Sequence, residues 1–309
     1  MKLTLSRYLV ENVGESPNLA PIRRNLESCI KRSVFIFRGS DTAGTFGEKE
    51  ARETRNSLTN SNFILNFTSL FFEHLPSRKR SYFGTNSPSN ASDFGSLFVI
   101  VPHDSVSKVA IIPNDFNLQD NPVLNKIRTG WNLSGLGFQL HIGILNIDEE
   151  LNTPESKRLK AISSKIANTT DVDKQDFAEF DEAFRVLFES GQPQRWLEAE
   201  DNYDAKYVQF VWETVSEKYN STFSSFLRAA INAGHQGVEV LSFDEALQKM
   251  GTDEVFEIWF EGKCSFFSLN WLDEKYVEIT EDEDGIIDSA NDEQDIHDAV
   301  GLVLSSFLR

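Results

Sequence analysis

Short apolar runs give way to long amphipathic stretches and then return, and this pattern divides the chain into three parts. In residues 1–147 the apolar runs are short and lie next to Gly, Pro or Asn, which is typical of strands. A helix is expected at Pro21–Lys31, where Ile22, Leu26 and Ile30 share one face. The predicted strands are Val34–Phe37, Ser81–Phe83, Leu97–Val101, Lys108–Ile112 and Gly137–Leu145, the third and fourth forming a hairpin.

Residues 148–233 carry a helical periodicity instead, with Phe177, Phe180, Phe184 and Leu187 on one face. Helices are predicted at Pro154–Ile166, Lys174–Phe188 and Ala205–Ala233, the last broken near Asn220. Residues 234–309 return to short apolar runs. They predict strands ending at Leu241 and at Val255–Phe260, Cys264–Leu269 and Tyr276–Ile279, with helices at Phe243–Met250 and Ile296–Leu308.

These three parts predict an α+β fold in which a helical insertion or subdomain, 148–233, interrupts a β-rich core. The first part of the core is 1–147, and 234–309 supplies the strands that complete it. The aromatic run Phe63–Phe72 keeps a helical spacing and is expected to pack on the sheet.

One stretch, Arg80–Gly95, places polar groups at the end of a strand. Thr85 and Asn86 follow the aromatic residues there, where a hydroxyl and an amide can meet a ligand or cap the next turn. A helical turn is expected from about Ser89. Upstream, the strand Val34–Phe37 ends in Arg38-Gly39, and the glycine allows close backbone approach.

The order of these features resembles the ADP-ribosyltransferase superfamily, in which an Arg on the first strand is followed by a Ser-Thr-Ser strand and later by a catalytic Glu. It is most similar to a divergent group found in bacteriophage genomes. The shared features span roughly residues 34–115. They are Arg38-Gly39, Arg52, Arg55, Arg80-Ser81, Thr85, Ala91, Phe94-Gly95 and Pro102.

The resemblance implies a split mixed β-sheet core and transfer of ADP-ribose from NAD to a protein or nucleic acid. It implies that Arg38 contacts phosphate or ribose, that Gly39 supplies backbone contacts, and that Arg80, Ser81, Thr85 and Asn86 complete the NAD site. Gly84-Thr85-Asn86 occupies the Ser-Thr-Ser position but lacks both serines.

Two glutamates are candidates for the catalytic carboxylate. Glu239 lies in Gly237-Val-Glu-Val-Leu241, which resembles the second half of the family's Glu-x-Glu strand, and Glu257 in Val255-Phe-Glu-Ile-Trp259 is the runner-up. Cleavage of the glycosidic bond of NAD needs such a carboxylate because positive charge develops on the ribose. In the structural alternative, each Glu occupies an exposed strand position.

Some residues keep two interpretations. Phe63–Phe72 is either core or a wall that stacks on nicotinamide, and the cluster Arg78-Lys-Arg80 is either a phosphate contact or a solvated surface. Trp131 and His141 are expected in the core or at its rim. The acidic stretch Glu278–Asp298, with 10 Asp or Glu among 21 residues, is either a solvated loop or a surface for a basic partner.

Charge and composition limit the class of protein. The net charge is −18, but residues 1–140 have 16 Lys and Arg against 12 Asp and Glu, a balance of +4, whereas 141–309 have 14 against 36, a balance of −22. The basic half could attract an anionic dinucleotide. Two distant cysteines and five unpaired histidines predict neither a disulfide framework nor a metal site.

We therefore expect a cytoplasmic protein without a membrane span, acting in a bacterial host during conflict with a phage and delivered with the virion or made in the cell. Its predicted activity is mono-ADP-ribosyl transfer, in the manner of a toxin. The alternative is a non-catalytic binding or virion-associated protein that retains the same fold.

Overall fold

The computed structural model describes residues 17–41, 44–51, 53, 61–113, 123–124, 133–191, 193, 203–220, 222–234, 238–252, 254–281, 284–286, 290 and 292–308. Within this part of the chain it contains an eight-stranded antiparallel sheet. The strands are β1 Ile36–Ser40, β2 Phe46–Lys49, β3 Ser81–Thr85, β4 Ser96–Pro102, β5 Val109–Pro113, β6 Glu239–Leu241, β7 Phe256–Glu261 and β8 Cys264–Ser268.

The helices precede, interrupt and follow these strands, and a single 3-10 turn, Ala20–Ile22, leads into the first of them. They are α1 Arg23–Arg32, α2 Phe63–Phe71, α3 Pro88–Ser92, α4 Leu133–Leu151, α5 Pro154–Asn168, α6 Lys174–Glu189, α7 Tyr203–Lys218, α8 Phe223–Gly234, α9 Phe243–Met250, α10 Leu269–Thr280 and α11 Glu293–Ser306. The α+β class predicted from the sequence is confirmed. None of the helices among the described residues is long and apolar enough to cross a membrane.

Two compact units make up the fold. The sheet unit is drawn from Met1–Glu53, Leu75–Asn114 and Val238–Arg309, and the helical unit from Thr54–His74 and Asp115–Gly237. The helical unit is larger than the predicted insertion because it includes α2 and α4.

Strand order in the sheet is β2-β8-β4-β1-β3-β7-β5-β6, and every neighbouring pair is antiparallel. The expectation of a mixed sheet is therefore wrong in this respect. The predicted β4–β5 hairpin is also wrong, because β4 pairs with β1 and β8 while β5 pairs with β7 and β6. The polar segment between β4 and β5 is long enough to carry the chain to a different part of the sheet.

The sheet is weakly joined at its centre. Among the described residues a single pair, Phe37 with Thr85, links β1 to β3, whereas β3 pairs with β7 from Ser81 to Thr85. Residues Gly262 and Lys263 connect β7 to β8, although these two strands are not adjacent in the sheet. Gly262 has a φ of +117°, which a residue with a side chain rarely adopts, and so permits this abrupt change of direction.

The helical unit is built around an aromatic core. The Phe63 ring of α2 packs edge-on against Phe177 and Phe180 of α6, with ring centroids 5.5 and 5.2 Å apart. The core interpretation of this aromatic run is confirmed, and within the helical unit α2 packs on other helices. His141 is also buried and lies 3.0 Å from the Ser163 hydroxyl, measured from Nδ1.

Two predicted strands are helical. Gly137–Leu145 lies inside α4, where Leu133, Leu136, Leu140 and Ile144 are buried at a helical spacing. The local glycines and branched residues suggested a strand, but burial of this longer stripe decides for a helix. Tyr276–Ile279 belongs to α10, whose start is capped by the Ser268 hydroxyl accepting a hydrogen bond from the Trp271 amide.

Candidate functional site

Three neighbouring strands of the sheet unit place the segments that carry Arg38, Thr85 and Glu257 side by side. Thr85 of β3 lies between Phe37 of β1 and Glu257 of β7, each paired directly across the strands. Residues paired in this way project from the same face of a sheet. The Thr85 and Glu257 side chains are therefore direct neighbours, and Arg38 follows Phe37 by one residue.

The Glu257 carboxylate is held by a cation in a poorly solvated position. Arg78 Nη2 lies 2.8 Å from Glu257 Oε1, and only 6% of the Arg78 side chain and 13% of the Glu257 side chain are exposed. At this depth the attraction between the two charges is much stronger than at the protein surface. The ion pair fixes where the carboxylate lies.

Two aromatic rings support the same cation. The Arg78 guanidinium carbon lies 4.5 Å from the centroid of the Phe83 ring and 4.9 Å from that of Trp259. These rings are neighbours across β3 and β7 and stack with centroids 6.1 Å apart. The Trp259 indole N–H donates to the Pro76 carbonyl at 3.1 Å, which ties the rings to the segment that carries Arg78.

Arg38 binds the backbone of the neighbouring strand. Its Nη1 donates to the Phe83 carbonyl at 2.8 Å, on the stretch of β3 that is not paired with β1. Because side chains alternate along a strand, the Arg38 side chain leaves the sheet on the face opposite to Thr85 and Glu257. Arg38 thus lies where β1 and β3 diverge and spans the gap between them.

Gly39 makes room for the short helix α3. A Cβ at this position would overlap the Ala91 carbonyl oxygen and would lie 2.8 Å from the Cβ of Phe94. The Arg-Gly pair, Ala91 and Phe94-Gly95 are therefore linked by packing. Phe94 itself is exposed beside Gly39.

The remaining predicted cofactor contacts differ in accessibility. Arg80 is 55% exposed and its Nε lies 2.8 Å from Glu261 Oε2. Ser81 is fully buried, and its hydroxyl donates to the Ser77 carbonyl at 2.8 Å. Thr85 Oγ1 accepts a hydrogen bond from the Ser87 amide at 3.1 Å, which begins the turn into α3.

Asn86 joins the end of β3 to the start of β7. Its side-chain N–H groups donate to the Met250 carbonyl at 3.1 Å and the Glu254 carbonyl at 2.9 Å. Its side-chain oxygen accepts from the Phe256 amide at 2.7 Å. Both amide donors of this buried side chain are therefore used by the protein itself.

Glu239 lies apart from this group. It is on the edge strand β6, and β3, β7 and β5 separate β6 from β1. Its carboxylate pairs with Lys249 of α9, and 44% of its side chain is exposed. The strand that carries it was predicted correctly, but Glu257 and not Glu239 is the neighbour of Thr85.

Sequence reasoning missed the partnership of Arg78 with Glu257. The sequence does show that Glu257 and Trp259 alternate along one strand and so share a face. It does not show that β3 pairs with β7, which adds the Phe83 ring to that face. Among the described residues no group of His, Cys, Asp and Glu is arranged to hold a metal ion. Arg52, Arg55, Trp131 and Gly237 lie outside the described residues.

The comparisons with known proteins add no family to this description. No protein-family model matches the chain, and neither a curated protein nor a solved structure is significantly similar to it.

Proposed function

We propose that this protein is an NAD-dependent mono-ADP-ribosyltransferase whose catalytic carboxylate is Glu257. The observation that carries the proposal is the pairing of Glu257 with Thr85, one strand away from Arg38. In this arrangement the Arg, Thr and Glu motifs lie on three adjacent strands, β1, β3 and β7.

Breaking the bond between nicotinamide and ribose leaves positive charge on the ribose. A fixed carboxylate stabilises that charge and orients a ribose hydroxyl. Arg78 supplies the fixing contact for Glu257, and the half-buried Phe83 ring provides an apolar surface beside it. This chemistry needs no metal ion.

Arg80 is the proposed contact for the pyrophosphate of NAD, and Arg38, whose side chain leaves the opposite face of the sheet, is proposed to reach the same ligand through the gap between β1 and β3. Arg80 is mostly exposed, and the basic balance of residues 1–140 favours approach of an anion to this part of the chain. Thr85 and the Gly39 backbone complete the site. Ser81 and Asn86, whose polar groups bind the protein itself, support the strand rather than contact NAD.

The acceptor of ADP-ribose is a macromolecule, protein or nucleic acid, in the cytoplasm of a bacterium that a phage infects. This part of the proposal follows from the resemblance of residues 34–115 to the phage-associated group. The acidic balance of residues 141–309 favours a basic protein acceptor over a nucleic acid, since phosphates would be repelled.

A non-catalytic binding or virion-associated protein is the second candidate, and one observation favours it. The buried ion pair of Glu257 with Arg78 resembles a structural contact, because the carboxylate already has a cationic partner. In that case the three strands keep the arrangement of a transferase, but the protein does not cleave NAD.

One labelling experiment separates the two candidates. Purified protein is incubated with bacterial lysate and NAD labelled in its adenylate part. The transferase yields labelled macromolecules, and loss of the label on protease or on nuclease treatment identifies the acceptor class. Absence of label with the wild-type protein, under conditions where an established transferase labels its own acceptor, favours the binding protein.

A further inference from the structure

Helix α11 presents two polar side chains to the turn that follows β3. Glu293 and His297 are four residues apart and so lie on one face of the helix. Glu293 Oε1 accepts hydrogen bonds from the Ser87 hydroxyl at 2.9 Å, from the Ser89 amide at 3.2 Å and from the Ser89 hydroxyl. His297 Nε2 lies 2.9 Å from the Asn86 carbonyl oxygen.

The hydrogen bonds of His297 determine its tautomer. Its Nδ1 lies 2.9 Å from the Phe35 amide nitrogen, which can only donate, so Nδ1 is an acceptor and carries no proton. The proton is therefore on Nε2, which donates to the Asn86 carbonyl. Only the neutral ring with this tautomer makes both hydrogen bonds.

The surroundings of His297 disfavour a positive charge. The ring is 6% exposed and packs against Phe35 and Phe37, with centroids 6.2 and 4.9 Å away. Burial lowers the pKa of His297, and the Asn86 carbonyl, Glu293 and Asp298 oppose that shift only in part.

The helices packed against α11 are α1 and α10, and both carry charged residues. In α1, Arg32 pairs with Asp244 and Arg23 with Glu27, and in α10, Lys275 pairs with Glu278. The other charged residues of these helices are Arg24, which binds Asp104, together with Lys31, Asp273 and Glu274. The strand β1 carries Arg38, which binds the Phe83 carbonyl, and α3 contains no charged residue.

From this geometry we propose that α11 is a pH-sensitive latch on the turn Asn86–Ser89. The neutral His297 ring, together with Glu293, holds the helix against β1 and against this turn. When His297 takes up a proton at Nδ1, that nitrogen becomes a donor facing the Phe35 N–H, and the hydrogen bond between them is lost. The helix then separates from β1, and the turn after Thr85 loses its support. The latch requires no NAD chemistry and stands independently of the proposed activity.

Hydrogen exchange at two pH values tests the latch. Wild type, His297→Gln and the control His141→Gln are compared at pH 7.5 and at mildly acidic pH, after correction for intrinsic exchange rates. Gln is neutral at both pH values and offers an acceptor and a donor in place of Nδ1 and Nε2. His141 is a buried histidine in the helical unit and has no part in the latch.

We expect wild type and His141→Gln to lose protection in peptides that cover 33–37, 84–92 and 293–306, by up to about tenfold per pH unit as the pH falls from the ordinary pKa of histidine to the lowered pKa of His297 in the folded protein. His297→Gln should retain its protection. The same acid-dependent loss in His297→Gln and wild type would overturn the proposal, as would unchanged protection in wild type.

The wild-type protein provides a second test if His297→Gln does not fold. The imidazole nitrogens of His297 are titrated by NMR while exchange of the Phe35 amide is followed. Loss of Phe35 protection in step with protonation supports the latch. Protonation of His297 with the Phe35 amide still protected contradicts it.

Discussion

Arg78 and Glu257 form an ion pair between the segment before β3 and the strand β7, with Nη2 and Oε1 2.8 Å apart. The guanidinium also lies against the Phe83 and Trp259 rings. One cation thereby fixes a carboxylate and two aromatic side chains on the same face of the sheet. This cluster contains the carboxylate to which we assign the proposed chemistry.

Removing the buried cation should destabilise the fold. We expect Arg78→Ala to lower the free energy of unfolding by about 3 to 5 kcal/mol, because it leaves the Glu257 charge buried without its partner. Arg80→Ala is the matched control, since it breaks an exposed ion pair with Glu261 and should cost at most about 1 kcal/mol. Urea unfolding measures both, and equal losses would contradict a special role for Arg78.

Asn86 is expected to support structure rather than bind NAD directly. Asn86→Ala leaves the Phe256 amide and two carbonyls without their partners, and a buried unsatisfied group costs about 1 to 3 kcal/mol. Thermal unfolding measures the loss, with the exposed Asn90→Ala as control. An Asn86→Ala protein with unchanged stability but weaker NAD binding would restore Asn86 to the cofactor site.

Arg38 gives a direct test of NAD binding. Arg38→Ala should weaken NAD binding by about 10- to 100-fold, since a charge-assisted hydrogen bond to phosphate is worth about 1.5 to 3 kcal/mol. Titration calorimetry measures the affinity, and Arg23→Ala, which removes an exposed cation of α1, is the control. Equal affinities in wild type and Arg38→Ala would remove Arg38 from the site.

Asp181 should make stability depend on pH. Burial raises the pKa of Asp181, although its Oδ1 accepts a hydrogen bond from the Ser224 amide at 2.9 Å. A raised pKa means that the folded state holds the proton more tightly than the unfolded state. Its stabilising contribution is therefore present in acid and is lost as the pH rises through the pKa of the unfolded state and then that of the folded state.

Asp181→Asn should therefore stabilise the protein at pH 7, and this gain should disappear at low pH. Asp176→Asn should instead destabilise the protein at pH 7. Burial tends to raise the pKa of Asp176, but the hydrogen bond from Lys165 and further contacts make the net shift downward. Urea unfolding of both variants at several pH values measures whether each substitution raises or lowers the free energy of unfolding. A loss of stability in Asp181→Asn at pH 7 would contradict the argument.

Local patterns predicted most elements of the fold, whereas partners across the sheet escaped prediction. The helix at Phe243–Met250 was predicted at its observed bounds, and in the structure a capping box of Ser242 and Glu245, a feature confined to a few residues, defines its start. Gly137–Leu145 was misread because local residue preferences favour a strand while burial of a longer stripe makes a helix.

The candidate site could not be predicted from any single segment of the sequence. Thr85 and Arg38 were singled out by their positions at strand ends, but the choice between Glu239 and Glu257 depends on which strand pairs with β3. Pairing between segments so far apart in the chain is decided by packing of the whole sheet. For the same reason Arg78 was grouped with the basic cluster rather than with its buried partner.

The most direct test compares Glu257→Gln with Glu239→Gln in transfer of labelled ADP-ribose from NAD to macromolecules in bacterial lysate. Both substitutions keep the side-chain size and remove one charge. We predict that Glu257→Gln still binds NAD but transfers about 100- to 1000-fold more slowly, the cost of one well-placed electrostatic group, whereas Glu239→Gln retains full activity. Full activity in Glu257→Gln would contradict the central claim, and loss of activity in Glu239→Gln alone would assign catalysis to the edge strand.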